Sequence, residues 1–327
     1  MQFAQVLHGR RGGRCAHYDV STQADIMADH TLSHPPHRFT PRSITRICIT
    51  LALLSVAGCS TPGPGSGTAK APDNDSMAAE CPSSLRYAAV AAPDATLAQI
   101  KEITEARLAA LNLHAQWKFD NAEPFTDDVN DRVRLQRLLS TILPALERYP
   151  ASLFAQMKLD HVALVKNLDV AGQRRRAMPS PETSTLVYAD NGEIICPAGM
   201  EVRVHHEFYH FIDYRLFGDF YYRDPKWTAL NPEGITYGSG GSTAYGIPFN
   251  NLGHPSSGMV SRYALYGVEE DKAETFGWMM TPSYAHRVQQ WSGDDAFLAS
   301  KRNFMIALFK HESQGAMDDG YFARLAQ

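Results

Sequence analysis

The sequence predicts an α+β fold on three observations: helical apolar spacing early in the chain, strand-like runs in its middle, and a return to helical spacing around a histidine cluster. After Asp94, the expected N-cap, Leu97, Ile100, Ile103, Leu108 and Leu111 recur at helical spacing. A second helical stretch, "DDVNDRVRLQRLLSTILPALERYP", is expected to bend at Pro144. "LDHVALVKNLDV" and "STLVYAD" then read as strands, with a turn at Arg174-Arg175-Arg176 and the segment "AMPSPE" between them. The histidine-bearing stretch "RVHHEFYHFIDYR", residues 203–215, is helical again.

The N-terminus reads as a targeting segment. Arg42 and Arg46 precede an apolar run, Ile47 to Ala57, which is too short to span a bilayer and suits a signal-peptide core. The run ends in Val56-Ala57-Gly58-Cys59, which resembles the bacterial lipobox and makes Cys59 the expected lipidation site. An ordinary secretory signal is the alternative. Ser60 resembles the outer-membrane sorting pattern of lipoproteins, so the expected location is the cell envelope, lipid-anchored, facing the periplasm. The stretch before the run is long for a signal, and Met27 is an alternative start. Residues 1–58 are therefore set apart as signal and upstream extension. Residues 59–85, rich in Gly, Pro, Ser and Asp, read as a flexible tether. Residues 86–327 form the expected domain, with its motifs between about residues 185 and 285.

Charge excludes one class of partner. Residues 1–58 hold six of the 31 Lys and Arg and three of the 35 Asp and Glu, leaving 25 against 32 in the body of the chain. An acidic body offers no broad basic face for nucleic acid. Export removes Cys15 and Cys48 and lipid takes Cys59, so Cys81 and Cys196 are the candidate disulfide pair, two separate thiols being the alternative.

His206-Glu207-Phe208-Tyr209-His210 has the HExxH spacing. At ~100° per residue, positions i and i+4 share a helix face about 6 Å apart, so both imidazoles can converge on one Zn²⁺ ion. Glu207, one step round the helix, then stands beside the metal as a general base. Phe208, Ile212 and Leu216 make an apolar stripe for anchoring the helix. His205 lies off the ligand stripe and reads as exposed or as a rim residue of the cleft, and His254 as a loop residue. Asp213 and Leu216 occupy the positions where a metzincin needs Gly and His, which excludes that class. The third ligand is sought on a second helix, "VEEDKAETFGWMM". There Glu270 faces the zinc and Glu274, four residues on, accepts a hydrogen bond from a ligand imidazole; Glu269 is the rival ligand.

These two segments resemble the gluzincins, zinc metallopeptidases with HExxH and a downstream Glu. Within them they are most similar to the peptidase domain of anthrax lethal factor and to bacterial lipoproteins described as zinc-binding metallopeptidases. "HEFYHFIDY" carries the likeness through HEF, the second His and Asp213; "EDKAETF" carries it through Glu-x-x-Ala-Glu-x-Phe. The resemblance spans residues 200–282. It implies a zincin-like fold with a small mixed sheet, an HExxH helix and a glutamate helix. It also implies a carboxylate role for Asp213 behind the ligands and an oxyanion role for Tyr263, seven residues before the ligand Glu. Tyr209 departs from the small residue common there and is expected to narrow the cleft or shift the helix.

The expected activity is hydrolysis of peptide bonds by zinc-activated water, with peptides or proteins as substrates. A zinc-binding scaffold lipoprotein and a zinc amidase acting on cell-wall peptides are the alternatives. Residues 218–262, with Trp227 and the glycines of "YGSGGSTAYG", are either a mobile lid or an ordered excursion.

Overall fold

The computed structural model describes residues 89–192, 196–244 and 253–327. The signal, the tether, Cys59 and Cys81 lie outside them. Among the described residues no helix is long and apolar enough to cross a membrane. The fold is α+β and rich in helix.

Helix α1 (Leu97–Ala109) starts at Thr96 and not at Asp94: Thr96 and Gln99 form a reciprocal capping box, which satisfies two backbone donors that Asp94 cannot reach. Strands β1 (His114–Gln116) and β2 (Ala122–Glu123) follow; both are too short for a periodic signal. Helix α2 (Val129–Leu146), capped by Asp128, runs through Pro144 and stops two residues later. Helix α3 (Ala151–Met157) ends on Lys158 in the left-handed region.

The middle of the chain builds two small sheets. Strands β3 (His161–Val165), β4 (Asn167–Val170), β5 (Gln173–Arg174), β6 (Ala177–Ser180) and β7 (Thr185–Ala189) give a mixed sheet ordered β1-β3-β7-β6 and an antiparallel one ordered β2-β4-β5. β3 runs parallel to both β1 and β7, while β6 is antiparallel to β7. The expected turn at Arg174-Arg175-Arg176 lies instead at Ala171-Gly172, both at positive φ, which lets Arg174 pair with Asp169 across a tight hairpin. Likewise "AMPSPE" supplies β6, an edge strand, where Pro179 is tolerated.

β7 is buried along its whole length. Leu186 and Tyr188 join Val162 and Leu164 in the main core, whereas Val187 and Ala189 pack with Ala163, Val165 and Leu168 on the opposite face. Both faces of the central strands are covered, as parallel strands require.

The site rests on two helices. α4 (Pro197–Phe217) opens with Pro197 at its first turn and closes on Gly218 at φ +73°. Tyr188 donates its hydroxyl hydrogen to the Val204 carbonyl (3.1 Å), tying α4 to the sheet. The short α5 (Pro225–Thr228) leads towards α6 (Val268–Met280), every residue of which is buried. A methyl group at Gly277 would lie 2.9 Å from the Val202 carbonyl oxygen, so glycine there allows α6 to approach α4 closely. Helices α7 (Pro282–Asp294), α8 (Ala296–Glu312) and α9 (Asp319–Leu325) complete the chain.

Three expectations for α4 change. His205 is fully buried: its Nδ1 lies 2.6 Å from the Tyr149 hydroxyl, and burial, then Arg148, hold its pKa well below the usual imidazole value. α4 is covered on more than the ligand face, so a position off the 206/210 stripe still meets the core. Leu216 is 36 % exposed, because the helix leaves the core in its last turn, while Phe208 and Ile212 are fully buried as expected. Tyr209 packs between Phe276 and Phe309 (ring centroids 5.6 and 6.2 Å) and lies in the core, so it does not narrow a cleft.

Candidate metal centre

α4 and α6 bring His206, His210 and Glu270 together, and their donor atoms form a group that could hold a metal ion. The two imidazole Nε2 atoms are 3.0 Å apart, and Glu270 Oε2 stands 3.1 Å from that of His206 and 3.4 Å from that of His210. Three donors on a tetrahedral ion with bonds of about 2.0–2.1 Å are separated by about 3.3 Å, so this spacing fits one ion. Glu270 Oε2 is buried without a hydrogen-bond partner among the described residues. A buried carboxylate oxygen pays a desolvation cost that a cation between it and two imidazoles offsets. The residues fit a metal.

Electrostatics point the same way. Burial would lower the pKa of His206, but Glu270 and Glu274 outweigh it and raise it to about 10. Burial would raise Glu270, but His210 and His206 outweigh it and hold the carboxyl far below the usual range. Without metal the cluster thus keeps a proton on His206 across neutral pH, and a metal must displace it. A pKa raised in this way makes the proton a stronger competitor as pH falls. Metal affinity is therefore expected to rise about tenfold per pH unit between pH 6 and 8 for each proton displaced. Calorimetric titration in buffers of different protonation enthalpy measures this; a pH-independent affinity would contradict it.

Glu274 stands behind His206, its Oε1 3.0 Å from Nδ1. Its other oxygen accepts a 2.6 Å hydrogen bond from Ser261, which is fully buried and also accepts from the Ala264 amide (3.3 Å). Ser261 thus links the carboxylate beside His206 to the turn Tyr263–Tyr266. Sequence reading missed Ser261, because a lone serine carries no spacing signal.

The Tyr263 ring lies 5.8 Å from that of His206. A methyl group on Gly241 would collide with both the Tyr263 hydroxyl and Glu270 Oε1, so both converge on the Gly241 Cα. Gly238 and Gly240 donate backbone hydrogen bonds to Leu265 and Tyr266 (2.8 and 2.7 Å), laying the glycine run against the site. The run was visible in the sequence; its role there is close backbone approach. Trp227 is fully buried, and Trp227 and Tyr237 both bond Asp271, so this part of the 218–262 segment is an anchored excursion. Residues 245–252 lie outside the described residues.

Glu207 is half-buried on α4 and near enough to Tyr188 to raise its pKa, second to burial. Asp213 accepts from Lys272 (2.5 Å), and its Oδ1 has no hydrogen-bond partner among the described residues. It locks α4 to α6 and sits within Coulombic reach of His210. Glu269 is not in the ligand group: one step round α6 from Glu270, it turns towards Gly267 and Gly240. His254 is in a loop, stacked on Trp291. Cys196, the residue before α4, is disulfide-bonded; its expected partner Cys81 lies outside the described residues. Comparisons with protein-family models, with curated proteins and with solved structures find no match to this chain.

Proposed function

We propose that this chain is a zincin-like, gluzincin-type metallopeptidase that hydrolyses peptide bonds with one Zn²⁺ ion held by His206, His210 and Glu270. The observation that carries the reading is the convergence of two imidazoles from α4 and an otherwise unpartnered buried carboxylate oxygen from α6 at tetrahedral spacing. Two nitrogens and an oxygen suit zinc, and three protein ligands leave a fourth position for water or substrate. Zinc bound there supplies a Lewis acid that brings the pKa of water to about 7 and polarises a carbonyl.

The chain's own groups do the rest. Glu207 follows His206 on α4, beside the ligand face, and takes the proton of the attacking water at its carboxylate. It then passes that proton to the leaving amine. The Tyr263 hydroxyl, at the edge of the ligand group, donates a hydrogen bond to the oxygen on which charge develops. Glu274 and Ser261 hold the His206 ring in orientation. The lipobox-like segment ending at Cys59 supports a lipid-anchored place in the cell envelope, with peptides or proteins as substrates.

A peptide-library digest of the zinc-loaded protein tests the activity. Cleavage is expected, and Tyr263→Phe should keep zinc while lowering kcat about 10²-fold. Stoichiometric zinc without any cleavage would instead favour a scaffold.

A further inference from the structure

The first turns of α6 hold five ionisable residues, all buried. Four have partners: Glu270 faces the two histidines, Asp271 takes Lys301, Lys272 takes Asp213, and Glu274 takes Ser261. Glu269, only 5 % exposed, has no ion pair among the described residues; its carboxylate accepts a hydrogen bond from its own backbone amide. Its carboxylate lines a cavity of about 310 Å³ together with Tyr221, Arg223, Tyr237 and Gly240. A buried carboxylate at the wall of an open cavity, with no cation in contact among the described residues, leaves a place for a counter-charge from outside.

The cavity adjoins the metal centre. Gly240 backs Glu269, with Glu269 Oε1 3.2 Å from where a Cβ would stand, and the next residue, Gly241, backs Glu270 and Tyr263. The Tyr221 ring lies over Gly240 from the other side, 3.7 Å from the same point. Tyr237 is fixed by its hydroxyl, which donates to Asp271 (2.6 Å) and accepts from Asn231 (2.7 Å). A cation entering would meet a carboxylate and aromatic surface. Arg223 is exposed, where water screens its charge, whereas Glu269 acts from a desolvated position.

We infer that this cavity is a subsite for a cationic group of a peptide, an ammonium or guanidinium, with Glu269 as its anionic partner. The inference rests on the peptidase reading for its substrate class and extends it to specificity. The competing role for Glu269 is structural: an acid in the first turn of α6, folded back on its own amide. Glu269→Gln separates the two, since an amide oxygen still accepts that hydrogen bond but carries no charge.

The probes are fluorescent, N-acetylated, C-amidated alanine peptides with one lysine moved through each position, the same peptides with acetyl-lysine, and an unblocked all-alanine peptide. Binding is read by anisotropy on the zinc-loaded Glu207→Gln chain, so that turnover does not interfere. At one position, lysine is expected to bind at least about tenfold tighter than acetyl-lysine, the low end for a hydrogen bond to a charged group. Adding Glu269→Gln should erase that difference with zinc content unchanged. A preference for the unblocked peptide alone would assign the subsite to a free α-amino group. Equal or undetectable binding of all probes would overturn the inference, as would a lysine preference that survives Glu269→Gln. The lysine and acetyl-lysine comparison needs no change at Glu269, so a misfolded variant leaves it decisive. Lysine preference without cleavage by the unaltered protein would contradict the peptidase reading alone; cleavage without that preference would contradict this inference alone.

Discussion

Glu207→Gln yields a protein that keeps one zinc ion and loses about 10²–10⁴-fold in kcat, the usual contribution of a general acid–base group. The amide has the shape of the carboxylate but cannot take a proton, and none of His206, His210 or Glu270 is touched. The contrast lies with the ligands. His206→Ala, His210→Ala and Glu270→Gln should each lose most bound metal, because each removes one of three donors lying 3.0–3.4 Å apart. Glu274→Gln should weaken metal binding by about 10–100-fold, as losses behind a ligand do. Glu269→Gln should leave metal binding unchanged. Metal content and kcat on the same preparations check the whole set; wild-type turnover by Glu207→Gln would refute the assigned base.

Lys301→Met should cost about 3–5 kcal/mol of folding stability, because it leaves Asp271 as a buried anion without its cation. Both side chains are fully buried, with Nζ 2.6 Å from Asp271 Oδ2 and 2.7 Å from the Gly258 carbonyl. The same oxygen of Asp271 accepts from Trp227 Nε1 (2.7 Å) and the Tyr237 hydroxyl (2.6 Å). One ion pair therefore joins α8, α6 and the segment that walls the cavity. Adding Asp271→Asn to Lys301→Met should recover part of the loss, since the neutral amide oxygen still accepts from Trp227 and Tyr237. Urea unfolding measures this; a loss below about 1 kcal/mol would show that the pair is solvated and not a buried bond.

How much of this was legible depended on the range of the contacts. His206 and His210 were readable because the i, i+4 spacing is local and places both on one face whatever surrounds the helix. The same local argument placed Glu270 and Glu274 together and turned Glu269 away. His205 was misread because its burial depends on Tyr149 and Arg148, more than fifty residues upstream. The pairing of Asp213 with the buried Lys272 was not legible, because no spacing rule reports a contact across two helices. Strand β6 was missed because Pro179 reads as a breaker unless the strand is known to lie at a sheet edge. Ser261 and Gly241 act through a hydroxyl and a missing side chain, each meaningful only once Glu274, Glu270 and Tyr263 are in place.

The central claim is that one zinc ion sits between α4 and α6, and zinc-edge X-ray absorption on the purified protein tests it most directly. The account predicts one zinc per chain with two imidazole nitrogens at about 2.0–2.1 Å and carboxylate or water oxygen at about 2.0–2.2 Å. It also predicts that the imidazole scattering disappears, together with the metal, in the His206→Ala/His210→Ala double variant. A protein that takes up no zinc, or a double variant that keeps the same spectrum, would contradict it.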